Sequence, residues 1–318
     1  MSEVWRPAAA HAALLARARM LHGIRAFFAS RDVLEVETPY LAHAAVTDPA
    51  IESLATVVNG VSAYLHTSPE FAMKRLLAAG CGDCFQIARV FRGGERGRHH
   101  NPEFTLLEWY RHDYDAERLM AEVVTLIHVL VPAGQTLPRP RRISYRALFE
   151  EGLGIDPLRA PTAALEQCAR VHGVAPAGAL ERDGWLDLLL AQWVQPRLAP
   201  DQLTLVYDYP ASQAALARLN PDALTAARFE VYWGELELAN GFHELTDAAE
   251  QLRRFESDCA ERRRDGRAEP PADTRLLAAL RHGLPDCAGV ALGLDRLLMK
   301  LTGARHIDQV LAFPFERA

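Results

Sequence analysis

Two apolar, aromatic segments separated by a polar, glycine-rich loop constrain this chain more than any other feature. Residues Cys84–Phe91 and 104–111 have the composition of strands, and the loop 92–103 between them is polar and contains three glycines. The pattern predicts two antiparallel strands with a long hairpin loop. Because strand side chains alternate, Glu108 is expected to share a face with Phe104, Leu106 and Tyr110.

Glu108 therefore places a carboxylate among aromatic and aliphatic side chains. A buried carboxylate needs a partner, because desolvation of an unpaired charge is very costly. One interpretation is that Glu108 binds a cationic ligand group such as an ammonium. The other is an internal ion pair with an arginine, and strand geometry alone leaves both open.

Composition excludes several classes of protein. With 318 residues and 49% hydrophobic content, the chain is expected to be globular and to have a sizeable core. Its N-terminal segment does not have the pattern of a signal peptide, and no run of about 18 uncharged apolar residues predicts a membrane span. A cytoplasmic location is expected. The net charge of −6 argues against a broad nucleic-acid surface.

The cysteine pattern does not favour a metal site. The five cysteines are scattered, and the single close pair, Cys81 and Cys84, has no second Cys or His pair at comparable spacing. We interpret this pair as buried thiols beside a turn. Basic residues 262–264 are interpreted as a solvated helix face in preference to a binding patch.

The remaining pattern mixes helices and strands. Ser68 and Pro69 predict the cap and first residue of a helix that reaches Gly80. Residues 112–227 are expected to form a largely helical insertion, with a linker at 132–142. The other predicted elements are helices at 8–30, 116–130, 247–264 and 297–301, and strands at 33–37, 64–67, 229–233, 235–240 and 289–296.

Two separated arginines lie on segments suited to phosphate. Arg92 begins the glycine-rich loop, which also carries Glu95, Arg96, Arg98, His99 and His100. Arg296 is expected in the first turn of a helix after Gly293, where the helix N-terminus favours anions. Glu237, expected to share a strand face with Glu235 and Ala239, and Glu244 could bridge phosphates through Mg²⁺ or hold an amine.

Several strings resemble the class II aminoacyl-tRNA synthetases in their lysine-specific form. FRGGERGRHHNPEFTLLEWYR resembles motif 2, GVALGLDR motif 3 and VLEVETPYL motif 1, with HTSPEFAMKRLLAAG and ELANGFHELTD between them. The resemblance implies an α+β fold in which an antiparallel sheet is flanked by helices, as one catalytic domain over residues 1–318. It also implies a homodimer, because motif 1 forms the subunit interface in the family.

About thirty residues precede motif 1, so the anticodon-binding barrel of lysyl-tRNA synthetases is not expected here. The chain more closely resembles the stand-alone elongation factor P (R)-β-lysine ligases, which share the TSPE, ELANGFHELTD and GVALG-like strings. This resemblance implies ATP and Mg²⁺ as cofactors, (R)-β-lysine or lysine as substrate, and a lysine of elongation factor P as acceptor. No tRNA partner is expected.

The resemblance also implies roles for individual residues. Arg92 and Arg296 are expected to be catalytic and to contact the phosphates, and Glu237 is a candidate Mg²⁺ ligand. The nucleotide-binding residues implied are Arg92, Gly94, Asn101, Phe104, Glu237, Leu238, Gly293 and Arg296. The amino-acid pocket implied comprises Ser68, Pro69, Glu70, Glu108, Tyr110, Glu244 and Ala291, and this favours the ammonium-binding interpretation of Glu108.

Two departures from the synthetase pattern concern specificity. Ser68-Pro69-Glu70 replaces the usual APE, and Ala291 replaces a glycine of motif 3; both match the ligases. A methyl group at Ala291 would change discrimination between lysine isomers by roughly 1–3 kcal/mol.

Gly94 is a further departure, because the family has an adenine-contacting glutamate at this position. Glu95, backbone groups or Phe104 could supply this contact.

Two other functions fit parts of the sequence. One is a truncated lysyl-tRNA synthetase-like enzyme that charges an RNA, which the acidic composition disfavours. The other is a non-catalytic lysine sensor, which the presence of both Arg92 and Arg296 disfavours, because a sensor has no need to bind triphosphate.

Overall fold

The computed structural model describes residues 5–318, which form nine α-helices and eleven strands. The helices are α1 (His11–Ala29), α2 (Glu70–Ala78), α3 (Ala116–Leu130), α4 (Tyr145–Leu153), α5 (Thr162–Val171), α6 (Arg182–Leu189), α7 (Ala248–Arg264), α8 (Thr274–Gly283) and α9 (Leu294–Thr302). The strands are β1 (Leu34–Glu35), β2 (Leu41–Ala42), β3 (Ala55–Val58), β4 (Val61–Leu65), β5 (Cys84–Phe91), β6 (Glu103–His112), β7 (Arg139–Ser144), β8 (Gln202–Pro210), β9 (Thr225–Trp233), β10 (Leu236–His243) and β11 (Cys287–Gly293). In residues 5–318, no helix is both long and apolar enough for a bilayer.

Eight strands form one sheet in the order β1-β5-β6-β11-β10-β9-β8-β7. Its interior pairs are antiparallel, and only the two outermost pairs, β1 with β5 and β7 with β8, are parallel. The strands β2, β4 and β3 form a separate small sheet. The predicted hairpin of β5 and β6 and the α+β architecture are confirmed.

One face of the large sheet packs on helices. Leu107 and Trp109 of β6 are fully buried in the main core, which includes residues of α1, α3 and α9. The Trp109 indole donates a 3.0 Å hydrogen bond to Glu122 on α3. An ion pair between Arg17 on α1 and Asp295 on α9 fastens the two helices together. The opposite face of β6 is thus free to build a cavity.

Local sequence signals explain several element boundaries. Asp115 caps α3 and Asp247 caps α7 by accepting hydrogen bonds from backbone N–H groups of the first turn. Asn59 and Gly60 both have positive φ and connect β3 to β4 in a two-residue loop, the geometry of a type I′ turn. The prediction for α3 is confirmed to the residue.

The start of α2 differs from the prediction. The helix begins at Glu70, so Pro69 occupies the cap position and Ser68 precedes it. The Ser68 hydroxyl still accepts a 2.9 Å hydrogen bond from the Glu70 N–H, but it also donates to Glu108 on β6. The helix thus begins one residue later than predicted, and Ser68 connects its start to β6. Strand β11 likewise ends at Gly293, earlier than predicted, and α9 begins at Leu294.

The predicted linker at 132–142 is wrong in its second half. Residues Arg139–Ser144 form β7, which pairs in parallel with β8 at the edge of the large sheet. An edge strand tolerates Pro140, because only one of its sides is paired and a proline there removes few ladder hydrogen bonds. The segment predicted as a helical insertion therefore also contributes β7 and β8 to the sheet that carries the site.

The interpretation of residues 262–264 as a solvated face is wrong for Arg262. Its side chain is 6% exposed and donates to the carbonyls of Thr47, Asp48 and Ile51. Arg263 and Arg264 are solvent-exposed as predicted. Arg262 therefore stabilises the loop before β3, which lines the cavity described below.

Candidate active site

A cavity of about 880 Å³ opens on the face of the large sheet opposite the main core. Its wall comes from the β5–β6 hairpin, from β10 and β11, and from the starts of α2 and α9. Of the residues predicted from the sequence, it brings together Ser68, Glu70, Arg92, Asn101, Phe104, Glu237, Leu238, Ala291, Gly293 and Arg296. Glu108, Tyr110 and Glu244 are buried directly behind this wall.

Strand register aligns the polar groups in rows across the sheet. Glu108 on β6 lies opposite Ala291 on β11, which lies opposite Asn240 on β10. Tyr110 lies opposite Gly289, two residues along the same strands. Opposed residues share a face, so Ala291 and Asn240 line the cavity beside the buried Glu108 carboxylate.

Glu108 has hydroxyl partners only, among the residues that the structure describes. Its two oxygens each accept a 2.7 Å hydrogen bond, one from Ser68 and one from Tyr110. Burial, and then the nearby Glu70 carboxylate, raise the pKa of Glu108 to about 8. The internal arginine pair, the second interpretation of this residue, is absent from the described structure, and the arrangement suits an incoming cation.

Lys74 on α2 is the buried cation of this region, with 1% of its surface exposed. Its ammonium lies 2.6 Å from Glu70 Oε1 and 2.6 Å from Glu244 Oε2. Burial by itself would lower the pKa of Lys74, but the charges of Glu244 and Glu70 raise it above its ordinary value. Lys74 therefore stays protonated and holds the two carboxylates in place.

Glu244 joins this group from the chain segment after β10. Burial raises the pKa of Glu244 to about 7, against the opposing effect of Lys74. Its second oxygen, Oε1, is buried without a hydrogen-bond partner. A buried acceptor of this kind has the capacity to take a hydrogen bond from a ligand donor.

Arg92 and Arg296 reach the cavity from different elements. The Arg92 guanidinium contacts the carbonyl of Thr67 at 3.4 Å and lies 5.1 Å from the Phe104 ring centroid. Arg296, in the first turn of α9, donates to the carbonyls of Glu237 at 3.0 Å and His99 at 3.3 Å. Neither arginine is committed to a buried carboxylate, so both remain suited to bind phosphate oxygens.

The orientation predicted for Glu237 is wrong. A bulge between Glu237 and Ala239 places Glu237 opposite Tyr232 and Ala239 opposite Val231, which are neighbours on β9. Their side chains therefore point to opposite faces, and Glu235 lies in the turn before β10. Glu237 Oε2 lies 3.5 Å from Arg296 Nη1, and both residues line the cavity.

Three predicted residues are placed differently from the rest. Gly94 has φ +73° and does not line the cavity, whereas Glu95 lines it and lies 3.7 Å from Arg92. Asn101 lines the cavity, but its amide is engaged by the Glu103 carbonyl and the Phe315 N–H. Pro69 faces a neighbouring cavity of about 350 Å³ on the other side of the 67–71 segment.

Comparisons with known proteins agree with this geometry. Residues 3–317 match the family of tRNA synthetases class II (D, K and N). The chain belongs to this family. It is 48% identical to an elongation factor P–(R)-β-lysine ligase of Vibrio cholerae over 99% of the chain and 98% of the relative. Proteins of the same name from Yersinia enterocolitica and Pseudoalteromonas translucida are 48% and 47% identical, at 99% or more of both chains.

Three residues in or beside the cavity are not among those predicted from the sequence. Asn240 lines the cavity, and its side-chain oxygen is buried without a hydrogen-bond partner. Gly289 faces Tyr110, and Lys74 joins two carboxylates. The strings ELANGF and SPEFAMK contain Asn240 and Lys74, and helical spacing of Glu70 and Lys74 was the available signal for an ion pair.

Proposed function

We propose that this protein activates (R)-β-lysine with ATP and transfers it to a lysine side chain of elongation factor P. One observation carries the proposal: a single cavity is lined by Arg92 and Arg296, which form its phosphate end, and by Glu70, beside which Glu108 and Glu244 lie buried at its amino-acid end. The first end suits a triphosphate, and the second suits an amino acid with two ammonium groups. The names of the relatives support the same substrates.

In the first step, a carboxylate oxygen of the amino acid attacks the α-phosphorus of ATP. The bond to the bridging oxygen breaks, and pyrophosphate leaves with that electron pair. The carboxylate is already ionised, so this step needs no general base. Arg92 stabilises charge on the α-phosphate, and Arg296 orients the distal phosphates, so positioning and electrostatics supply the catalysis.

In the second step, the neutral ε-amine of the acceptor attacks the carbonyl carbon of the adenylate. An amide forms, AMP leaves, and the amine loses a proton. Glu70, Glu108 and Glu244 hold the ammonium groups of the activated amino acid during both steps. Phe104 borders the nucleotide, and Ser68, Pro69, Tyr110 and Ala291 shape the amino-acid end.

The residues at the phosphate end also fit Mg²⁺ that arrives with ATP. In residues 5–318, no cluster of three His, Cys, Asp or Glu side chains forms a metal site. Mg²⁺ is commonly bound by one or two carboxylates together with substrate phosphates, which is what Glu237 beside Arg296 offers. Bound there, the ion would neutralise phosphate charge.

We expect ATP–pyrophosphate exchange with (R)-β-lysine, followed by transfer of the labelled amino acid to elongation factor P. Incubation with tRNA and elongation factor P in parallel identifies the acceptor. Label on tRNA in place of protein would establish the RNA-charging alternative. Absence of exchange with every lysine isomer would refute the proposed activity and leave the sensor function.

The Ala291 methyl group is proposed to favour the β-isomer, because Ala291 lies opposite Glu108 and packs with Phe104 and Leu106. Ala291→Gly is expected to raise exchange with α-lysine relative to (R)-β-lysine by about 10-fold or more. Exchange measured with both isomers checks this. An unchanged ratio would show that the methyl group does not set the preference.

We also propose a cytoplasmic homodimer. Large hydrophobic side chains are exposed together around motif 1 and the small sheet: Leu34, Tyr40, Leu41, Val57, Val58 and Val61. A second subunit would cover this surface. Sedimentation equilibrium is expected to give twice the 35.2 kDa chain mass, and a monomer at micromolar concentration would contradict the proposal.

A further inference from the structure

The amino-acid end of the cavity contains more negative charge than its substrate carries positive charge. Glu70, Glu108 and Glu244 supply three negative charges when all are ionised, whereas (R)-β-lysine has two ammonium groups. An uncompensated carboxylate in a buried site is costly, and it would take up a proton or another cation. Something within the chain must account for the third charge.

Lys74 is that compensating charge. Its ammonium lies 2.6 Å from one oxygen of Glu70 and 2.6 Å from one oxygen of Glu244, and its side chain is almost completely buried. Glu70 and Lys74 are one helical turn apart on α2, so the helix fixes this pair. The pair with Glu244 then joins α2 to the segment after β10.

The type of residue at this position is unusual for the chain. Only two of its 35 basic residues are lysines, Lys74 and Lys300, and all the others are arginines. An ammonium is a compact point charge that fits between two carboxylates, whereas a guanidinium is a broad planar fork. One of the two lysines thus stands where two carboxylates converge in a buried space.

Several titratable or charged groups surround the Lys74 ammonium and the two carboxylates that it contacts. Glu70 and Glu244 contact it directly, Arg218 acts on Glu244 from the segment before β9, and Glu108 and Tyr110 lie beyond Glu70 on β6. Cys287, the first residue of β11, lies near Glu244, and burial raises the pKa of its thiol. Among these groups, Lys74 is the fully buried cation.

We propose that Lys74 is a positioning residue that cancels one of three carboxylate charges and so matches the pocket to a substrate with two ammonium groups. This inference rests on the proposed function for the identity of the substrate. In the empty pocket, Lys74 orients Glu70 and Glu244. When the diamine binds, Glu108 loses its proton and supplies the second net negative charge.

Calorimetric titration of the protein with (R)-β-lysine in the absence of ATP, between pH 6.5 and 9, tests the role of Lys74 independently of catalysis. In the wild type, affinity is expected to rise as the pH approaches 8, because the Glu108 carboxyl, with a pKa of about 8, must be ionised to pair with an ammonium. Lys74→Met is expected to weaken binding about tenfold or more and to shift this profile to higher pH.

Two further variants separate charge from packing. Lys300→Met, which removes the other lysine, is expected to bind like the wild type. Lys74→Met combined with Glu244→Gln removes one charge of each sign, and is expected to bind more tightly than Lys74→Met alone and to recover the wild-type profile. ATP affinity is expected to stay within about twofold throughout, because the phosphate end is unchanged.

A folded Lys74→Met protein with wild-type affinity and pH profile would overturn the proposal. So would a double variant that binds no better than Lys74→Met. If the single variant does not fold, the double variant is compared with the wild type, and loss of the wild-type pH profile in a folded double variant overturns the proposal. If the wild type binds (R)-β-lysine but shows no exchange, the proposed activity fails while the role of Lys74 stands. If no diamine binds the wild type, the charge match is refuted.

Discussion

Arg92→Ala is expected to abolish adenylate formation, with ATP–pyrophosphate exchange reduced by about 10³-fold or more. Arg92 lies at the wall of the cavity, between the Thr67 carbonyl and the Phe104 ring, without a buried carboxylate partner. Its removal takes away a fixed positive charge where the α-phosphate gains negative charge in the transition state. Steady-state exchange with saturating ATP and amino acid measures the loss.

Arg89→Ala is the matched control for Arg92. Arg89 lies three residues earlier, on β5, is 44% exposed and pairs with Glu103 outside the cavity. A surface pair of this kind contributes little to stability, so this variant is expected to keep near-normal exchange. Near-normal exchange in a folded Arg92→Ala protein would instead remove Arg92 from the mechanism.

Gly289→Ala is expected to have the second largest effect, on the amino-acid end of the cavity. A Cβ atom at this position would lie 2.2 Å from Tyr110 Cε1 and 2.5 Å from Glu244 Oε1. Tyr110 is fully buried, so it must shift together with the hydrogen bond that it donates to Glu108. Overpacking of this kind costs roughly 1–3 kcal/mol of stability.

The consequence for function is separable from that for stability. Affinity for (R)-β-lysine is expected to fall by about 100-fold, because two of the groups proposed to hold its ammonium ions are displaced. ATP affinity should be retained, since Arg92 and Arg296 are at the other end of the cavity. Calorimetry with each substrate separately measures both effects.

Gly178→Ala provides the control for this substitution. Gly178 is exposed, and a Cβ atom built there has no heavy atom within 4 Å. The control variant is expected to have wild-type stability and affinity. Wild-type lysine affinity in Gly289→Ala would mean that Tyr110 and Glu244 do not form the amino-acid pocket.

Much of the fold follows from local patterns that are strong in this sequence. The β5–β6 hairpin, α3 and α7 were predicted with boundaries close to those observed, because strand alternation, aspartate caps and helical spacing act over short distances. The motifs around Arg92, Arg296 and Glu108 were sufficient to indicate the family.

Other features required contacts between distant segments. Strand β7 forms because β8, sixty residues later, offers a parallel edge for residues that carry Pro140 and several arginines. Arg262 is buried because the loop 47–51 presents three carbonyls to it. Neither partner is visible in the local sequence, so the local pattern predicted a linker and a solvated face.

The same distinction applies to the site itself. Sequence alone located two arginines on segments suited to phosphate and a carboxylate on a strand, because these residues belong to motifs with characteristic spacing. Tertiary structure alone decided that Lys74 lies between Glu70 and Glu244 and that Gly289 makes room for Tyr110. Charge compensation and steric fit in a buried site depend on distances of a few ångström between segments far apart in sequence, and only the packed fold sets those distances.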